Sequence, residues 1–327
     1  MRAVIADRLG GPEVLELREM PAPQPGPGEV VIANRAIEVN FPDLLVIAGK
    51  YQVRPPFPYS PGKGVAGVIA AVGDGVTGFK PGDRVMAQVE YGGYAEQTLA
   101  PASMTFPIPE GLDFERAAAM GLVYQTAWFA LVDGRMARDE SVLVTGASGG
   151  VGMATLQLAR ALGAGKVLAG LTTPAKADLA RQDGADAIID LSRPNLGEAV
   201  REQIKAATGG GVDVVIDMLG GDAFDGSLRA LNRHGRIVIV GFAAGRIPEI
   251  KANYLLLKHI SAIGMPWVTY RDFAPARVHA AQREMFDLVL AGKLDPRIMA
   301  RYPMARHAQA LDDIAQRRTR GRVVMVP

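Results

Sequence analysis

Cysteine is absent from all 327 residues. With it go a disulfide framework, a thiolate nucleophile and any Cys-ligated zinc or iron–sulfur centre. Histidine is scarce: His234, His259, His279 and His307 lie far apart with no H-E-x-x-H spacing, which suits surface or helix-end positions better than metal ligation. Charge of one sign is also lacking. Lys+Arg 36 against Asp+Glu 34 leaves a net +2, too small for the basic field that would draw nucleic acid or an anionic membrane. No apolar run approaches the roughly 20 residues of a membrane-spanning helix. The opening MRAVIADRLG, interrupted by Arg2, Asp7 and Arg8, reads as a strand rather than a secretory signal, and the expected location is cytoplasmic.

What is present is ordinary globular material, 49% hydrophobic and 21% charged. A chain of this length exceeds the roughly 250 to 300 residues at which single cores stop growing, so two domains are expected. The first part is rich in Pro and Gly. It carries the short runs EVVIANRAIEV (29–39), GVAGVIAAVG (64–73) and GDRVMAQV (82–89), separated by turns, which predicts a small, partly open β-barrel. From about residue 114 helix-length segments alternate with buried strands. FERAAAMGLVYQTAWFALV has a helical period, and SVLVTGA, KVLAGLT, DAIIDL, VDVVIDML, RIVIVGF and ISAIGMP follow as strands. That alternation calls for a doubly wound parallel sheet. The tail after residue 267 adds helices and a last strand whose simplest partner is the N-terminal sheet.

Between the first of those strands and its helix lies Ala147-Ser148-Gly149-Gly150-Val151-Gly152, a G-x-G-x-x-G pattern with alanine in the first slot. Gly149 lets the backbone approach a pyrophosphate, Gly152 permits close helix-on-strand packing, and the helix offers its N-terminal amides and dipole to the anion. The flanking strand and helix make this a dinucleotide site rather than a structural turn. At the end of the next strand the chain reads GLTTPAK. An acid for a ribose hydroxyl is lacking until Asp178, whereas Thr172, Thr173 and Lys176 suit a 2′-phosphate, so NADPH is expected over NADH. A helix cap at Thr173 before Pro174 would account for the threonine and proline equally well and leave Lys176 alone as the signal.

The segments PGPGEVVI (25–32), AIEVNFPDLLVIAGKY (36–51), PYSPGKGVAGVIAAVGDGVTGFKPGDRVMA (58–87), GGYAEQ (92–97), VYQTAWFAL (123–131), VLVTGASGGVG (142–152), GGVDVVIDMLGG (210–221) and GRIVIVGF (235–242) resemble the medium-chain dehydrogenase/reductase superfamily. Within it the chain is similar to the zinc-independent NADPH:quinone oxidoreductase (zeta-crystallin-like) branch. The resemblance implies an α/β chain: a GroES-like partly open β-barrel domain (1–120 and 267–327) with a Rossmann doubly wound parallel sheet domain (121–266), cofactor and substrate lying in the cleft between them. It places Asn40 at the nicotinamide end, Thr126 beside the cofactor, Ser148, Gly149, Gly150, Val151 and Gly152 on the pyrophosphate, and Thr172, Thr173 and Lys176 on the adenosine phosphate. Gly241 and Phe242 fall near the nicotinamide ribose, and Arg317 is a cofactor-contacting candidate in the RRTRGR run. Zinc relatives carry G-H-E-x-x-G where this chain reads Gly62-Lys63-Gly64-Val65-Ala66-Gly67. Histidine has become lysine and the acid has become glycine, so the superfamily's zinc sites are excluded, and the missing acid departs from the quinone reductase pattern too.

Hydride transfer from NADPH leaves negative charge on the acceptor oxygen, which a donor must meet. Without a metal, the suited acceptors are quinones and α,β-unsaturated carbonyls. Tyr51 is the first candidate donor, with Asn40, Tyr59 and Lys63 beside it. Packing of a proline-rich loop explains Tyr51 as well, Lys63 fits a solvated turn, and Asn40 suits orientation better than acid–base chemistry. Two rival functions remain: a C=C reductase for 2-alkenals, 2-enones or enoyl thioesters, and a non-catalytic NADPH- or RNA-binding protein. The arginines at 317, 318, 320 and 322 fit a solvated, partly cofactor-facing surface better than an RNA site. ISAIGMP, near Ile260–Pro266, is expected at the sheet edge and to pair across a homodimer axis.

Overall fold

The computed structural model describes residues 1–316 and 318–327; the candidate Arg317 lies outside the described residues. The chain divides into two compact units: Met1–Leu122 with Arg271–Gly292 and Pro296–Pro327, and Val123–Tyr270 with Lys293–Asp295.

The first unit is built on strands. β1 (Arg2–Ala6) and β2 (Leu15–Glu19) form an antiparallel pair, and β3 (Glu29–Val39) runs the length of the main sheet before the short helix α1 (Phe41–Ile47). Then come β4 (Gly64–Val72), β5 (Arg84–Gln88), β6 (Gln97–Pro101), β7 (Thr105–Pro107) and α2 (Phe114–Ala119). The second unit opens in α3 (Gly121–Asp133). It continues β8 (Ser141–Thr145), α4 (Gly150–Ala161), β9 (Lys166–Leu171), α5 (Ala177–Gln182), β10 (Ala187–Asp190), α6 (Leu196–Thr208), β11 (Val212–Asp217), α7 (Gly221–Ala230), β12 (Leu231–Ile239), α8 (Ala252–Lys258), β13 (Ser261–Gly264) and α9 (Trp267–Phe273). The chain ends with α10 (Pro275–Leu290), β14 (Ile298–Pro303), α11 (His307–Ala315) and β15 (Arg322–Val326). The single helix expected over 114–132 is two helices. Met120 N–H turns back to Ala117 O, closing α2 tightly before α3 restarts at Gly121.

In the first unit the main sheet runs β14-β15-β3-β4-β5-β7, with β6 also on β3. The last strand completes it: β15 pairs antiparallel with β3, setting Val323 against Val39 and Val324 against Glu38. Val30, Ile32, Ile37, Val39, Val65, Ile69, Val85 and Val323 share one core cluster here. The second unit is a six-stranded, wholly parallel sheet in the order β10-β9-β8-β11-β12-β13. β8 is buried along its whole length, as helices on both faces require. The order reverses between β8 and β11, the place where doubly wound sheets bind ligands at their carboxyl ends. Among the described residues no helix is long and apolar enough to cross a membrane.

Candidate functional site

The carboxyl ends of β8 and β11 are tied together. Thr145 Oγ1 donates to Asp217 Oδ1 at 2.5 Å, and the backbone N–H groups of Met218 and Gly220 reach Thr145 Oγ1 (3.2 Å) and Asp217 Oδ2 (2.9 Å). Burial raises the Asp217 carboxyl above its ordinary range. From this anchored base the chain turns through Gly146 at φ +65°, a conformation glycine adopts without strain. Ala147 N–H then bonds Gly170 O (3.1 Å), Gly149 N–H bonds Gly146 O (3.0 Å), and α4 begins at Gly150.

The turn's glycines do different work. A β-carbon on Gly152 would lie 2.5 Å from Ala147 Cα, so this glycine lets helix pack on strand. One on Gly149 would meet nothing but Gly146 O, at an ordinary 3.5 Å, and φ is −84°. A β-carbon at 149 thus meets no steric bar, and the residue is exposed at the helix start. Ser148, Gly150 and Val151 are half-buried around it.

After β9, Thr172 and Thr173 are exposed. Thr173 stands before a short 3-10 turn over Pro174–Lys176, yet its side chain makes no capping hydrogen bond. The cap therefore fails to account for that hydroxyl. Asp178 is engaged with Arg181 (3.0 Å). Past β12, Ala243 and Ala244 donate to Met218 and Leu219 carbonyls, holding the Gly241–Phe242 loop over the end of β11 with the Phe242 ring exposed. Thr126 is buried in α3. Amides at a helix start, a glycine with an open face and a hydroxyl-rich turn with a lysine together fit a dinucleotide carrying an extra phosphate.

In the first unit the candidates around α1 prove to be part of a buried polar network. Asn40 precedes α1, its N–H donating to Asp43 Oδ2 at 2.8 Å; Arg322 Nη2 donates to Asn40 Oδ1 at 2.5 Å. Tyr94 O–H donates to the same Asp43 oxygen (2.9 Å), and burial pushes the Asp43 carboxyl up to about 7. Lys63 is not a solvated turn residue: it is 4% exposed, its ammonium donating to Glu90 O (3.0 Å) and Oε2 (2.9 Å). Strand pairing puts it there, because Val89 N–H bonds Lys63 O and draws the 61–63 segment against the end of β5. Burial drops Lys63 to about 8, partly offset by the negative field of Asp43. The Lys63 ammonium sits 4.4 Å from the centre of the half-buried Tyr51 ring, a cation–π arrangement. Arg271 pairs with Glu90 on the other side. Tyr59 drops out as a donor: it is buried, packed in the core, and its hydroxyl donates to Val46 O at 3.3 Å.

Glu38, Gln88 and Tyr94 carry no role in the sequence reading, and Arg322 is expected there at a solvated surface. Arg322 is 4% exposed in β15, so the arginine run is not uniformly solvated; Arg318, by contrast, pairs at the surface with Asp312 (2.6 Å) and Asp313 (2.9 Å). The missed signal was Glu38 itself, a carboxylate flanked by Ala36, Ile37 and Val39 in the buried last stretch of β3. Among the described residues no group of three or more His, Cys, Asp or Glu is placed to hold a metal ion. His307 is buried at the start of α11 between Met304 O and Leu15 O, and His279 lies against Ser103 O.

A six-stranded parallel sheet with a glycine turn at its switch point, in one chain with a strand-rich unit closed by its own C-terminal strand, defines a medium-chain dehydrogenase/reductase. Residues 26–110 match the alcohol dehydrogenase GroES-like domain and residues 150–282 the zinc-binding dehydrogenase domain. The quinone oxidoreductase of Rattus norvegicus is 39% identical over 323 residues, covering 96% of this chain and 94% of that protein. The structure of a mycobacterial quinone oxidoreductase superposes with a TM-score of 0.92 at 33% identity, covering all of both chains. That of the Escherichia coli quinone oxidoreductase complexed with NADPH gives 0.90 at 30%, again over all of both. The chain belongs to the quinone oxidoreductase family of the medium-chain dehydrogenases/reductases.

Proposed function

We propose that this chain is an NADPH-dependent oxidoreductase that reduces quinones or closely related conjugated carbonyls. The observation that supports this most is the turn at β8: exposed Gly149 leaves room at the helix start, where a β-carbon would make only ordinary contact with Gly146 O, while two exposed hydroxyls and Lys176 follow β9. When bound, NADPH supplies the hydride from its nicotinamide ring. Gly150, Val151 and Gly152 would hold the pyrophosphate with the backbone N–H groups of the helix start, Ser148 and Gly149 forming the turn beside it, and Thr172, Thr173 and Lys176 would hold the adenosine phosphate. Thr126, Gly241 and Phe242 line the cofactor, and Asn40 orients its reacting end.

Tyr51 presents its hydroxyl to the acceptor oxygen and its ring to a flat acceptor. The Lys63 ammonium beneath that ring favours the negative charge that develops there and is the proton reserve for it. A second copy of the chain pairs along the outer edge of β13, which has β12 on one side and ends the sheet.

The test is oxidation of NADPH and NADH, followed by absorbance, with 1,4-benzoquinone, 9,10-phenanthrenequinone, 2-cyclohexenone, crotonaldehyde and crotonyl-CoA. Turnover of the quinones with NADPH preferred is the expected result. Turnover confined to the enone, aldehyde and thioester moves the function to C=C reduction, and NADPH binding without any turnover replaces catalysis by a binding role.

A further inference from the structure

Glu38, Gly64 and Gln88 form one lateral row across three strands. Ile37 pairs with Val65, which puts Glu38 beside Gly64, and Gly64 pairs with Gln88. Neighbours in such a row project to the same face, and residues two strands apart are separated by roughly 10 Å of sheet. Glu38 and Gln88 nonetheless meet, Gln88 Nε2 donating to Glu38 Oε1 at 3.2 Å, because the residue between them has no side chain. A β-carbon on Gly64 would lie 2.7 Å from the Glu38 carboxyl carbon and 2.6 Å from Gln88 Nε2. Gly121 is held to glycine by the same groups, its β-carbon position being 3.0 Å from Gln88 Cδ. The Gly64 backbone needs no left-handed conformation, so its identity is a matter of space.

The carboxylate that fills this space is fully buried. Burial raises the Glu38 carboxyl, the charge of Arg322, whose Nη2 lies 3.5 Å from Oε2, offsets this in part, and the same Arg322 nitrogen donates to Asn40 Oδ1. We propose that Glu38 is the acid whose place in the G-H-E-x-x-G motif stands empty here: the carboxylate has moved from β4 to the adjacent β3. There it acts as a positioning residue that, through Arg322, sets the direction of the Asn40 amide. Gly64 is thus the counterpart of Glu38, not a loss. This rests on the reading above, in which Asn40 serves the reacting end of NADPH.

The experiment compares Glu38→Gln, Glu38→Gly, Gly64→Glu and the double variant Glu38→Gly/Gly64→Glu by thermal melting and by titration with NADPH and with 2′,5′-ADP, which lacks the nicotinamide. Glu38→Gln is expected to weaken NADPH about tenfold, the order of one charge-assisted hydrogen bond, and to leave 2′,5′-ADP unchanged. Each single Gly or Glu variant should melt early or fail to fold, one removing the carboxylate beside Arg322 and emptying the space over Gly64, the other forcing two carboxylates into one space. The double variant should recover both melting temperature and NADPH affinity. Additive damage in the double variant, or equal NADPH affinity for Glu38→Gln and the wild type, overturns the relocation or the positioning role respectively. A wild type that binds 2′,5′-ADP but not NADPH, or neither, removes the cofactor reading and the positioning role with it, while recovery of melting in the double variant still registers the exchange of positions.

Discussion

Glu38 and Gln88 touch across a strand that separates them, 3.2 Å apart over Gly64. That contact puts a buried carboxylate within reach of the one arginine that also holds Asn40. Removing a single partner from a buried ion pair costs about 3–5 kcal/mol, because the other charge stays buried and unmatched. The network is therefore a stability determinant as well as a support for the candidate site, and the two roles separate only by measurements that read them independently.

The glycine turn makes such a separation directly. Gly149→Ala is expected to leave the melting temperature close to wild type, since the new β-carbon finds only ordinary contact, while NADPH affinity falls steeply. Gly152→Ala should instead destabilise the fold by about 1–3 kcal/mol through overpacking against Ala147. Melting curves paired with fluorescence titration of NADPH check both, and an equal loss of stability in the two variants would refute the assignment.

Lys176→Ala should weaken NADPH by about tenfold or more, the worth of a charge-assisted hydrogen bond, and leave NADH affinity unaltered. Thr172→Val should act in the same direction and more weakly. If both nucleotides lose affinity equally, the turn after β9 does not read the 2′-phosphate.

With Lys63 depressed to about 8, quinone turnover should decline as pH rises through that value, because the ammonium form is the one that supplies charge and proton. Asp43, Glu38, Glu90 and Arg271 surround it, so the apparent value belongs to the group. Lys63→Met should lower kcat by about a hundredfold and abolish the alkaline limb. A full-strength limb in that variant would exonerate the lysine.

Asp43 makes stability, too, fall as pH rises. Its carboxyl is raised from 3.8 to about 7, so between those values the folded chain holds a proton that the unfolded chain has released, and stability at this site falls as pH rises. Asp43→Asn keeps an acceptor for the Asn40 N–H and removes the titration. Denaturant melts should show wild type losing ground to Asp43→Asn from about pH 4 to pH 7, by roughly 1.4 kcal/mol at most for each unit. Parallel pH–stability curves would show that Asp43 titrates normally.

The outer edge of β13 predicts a dimer by sedimentation in solution. Ile263→Pro, which removes a backbone donor in that strand, should shift the population toward monomer if its edge carries the contact. A wild type that sediments as a monomer would remove that assignment.

Most of the frame was legible in the chain. Apolar runs such as SVLVT and VDVVID, the glycine turn after the first of them and the alternation in EVVIANRAIEV are local patterns, and each became the strand or turn it spelled. Thr172, Thr173 and Lys176 fall together in one turn after β9 because they are neighbours in the chain. Lys63 was read the wrong way, as a lysine beside glycines in a proline-rich stretch looks solvated until pairing with Val89 fixes it against Glu90. The acid at the motif looked lost because a motif is read along one strand, whereas a sheet packs across strands.

The sequence by itself determined most of the element types, the parallel doubly wound class and the position of the glycine turn, because these follow from local patterns along the backbone. Only the tertiary structure decided the partners of the charges. Arg322 lies 284 positions from Glu38, and the two meet because β15 comes back to pair with β3. Lateral registry in the sheet places Glu38, Gly64 and Gln88 in one row, and burial there makes a missing side chain as consequential as a present one.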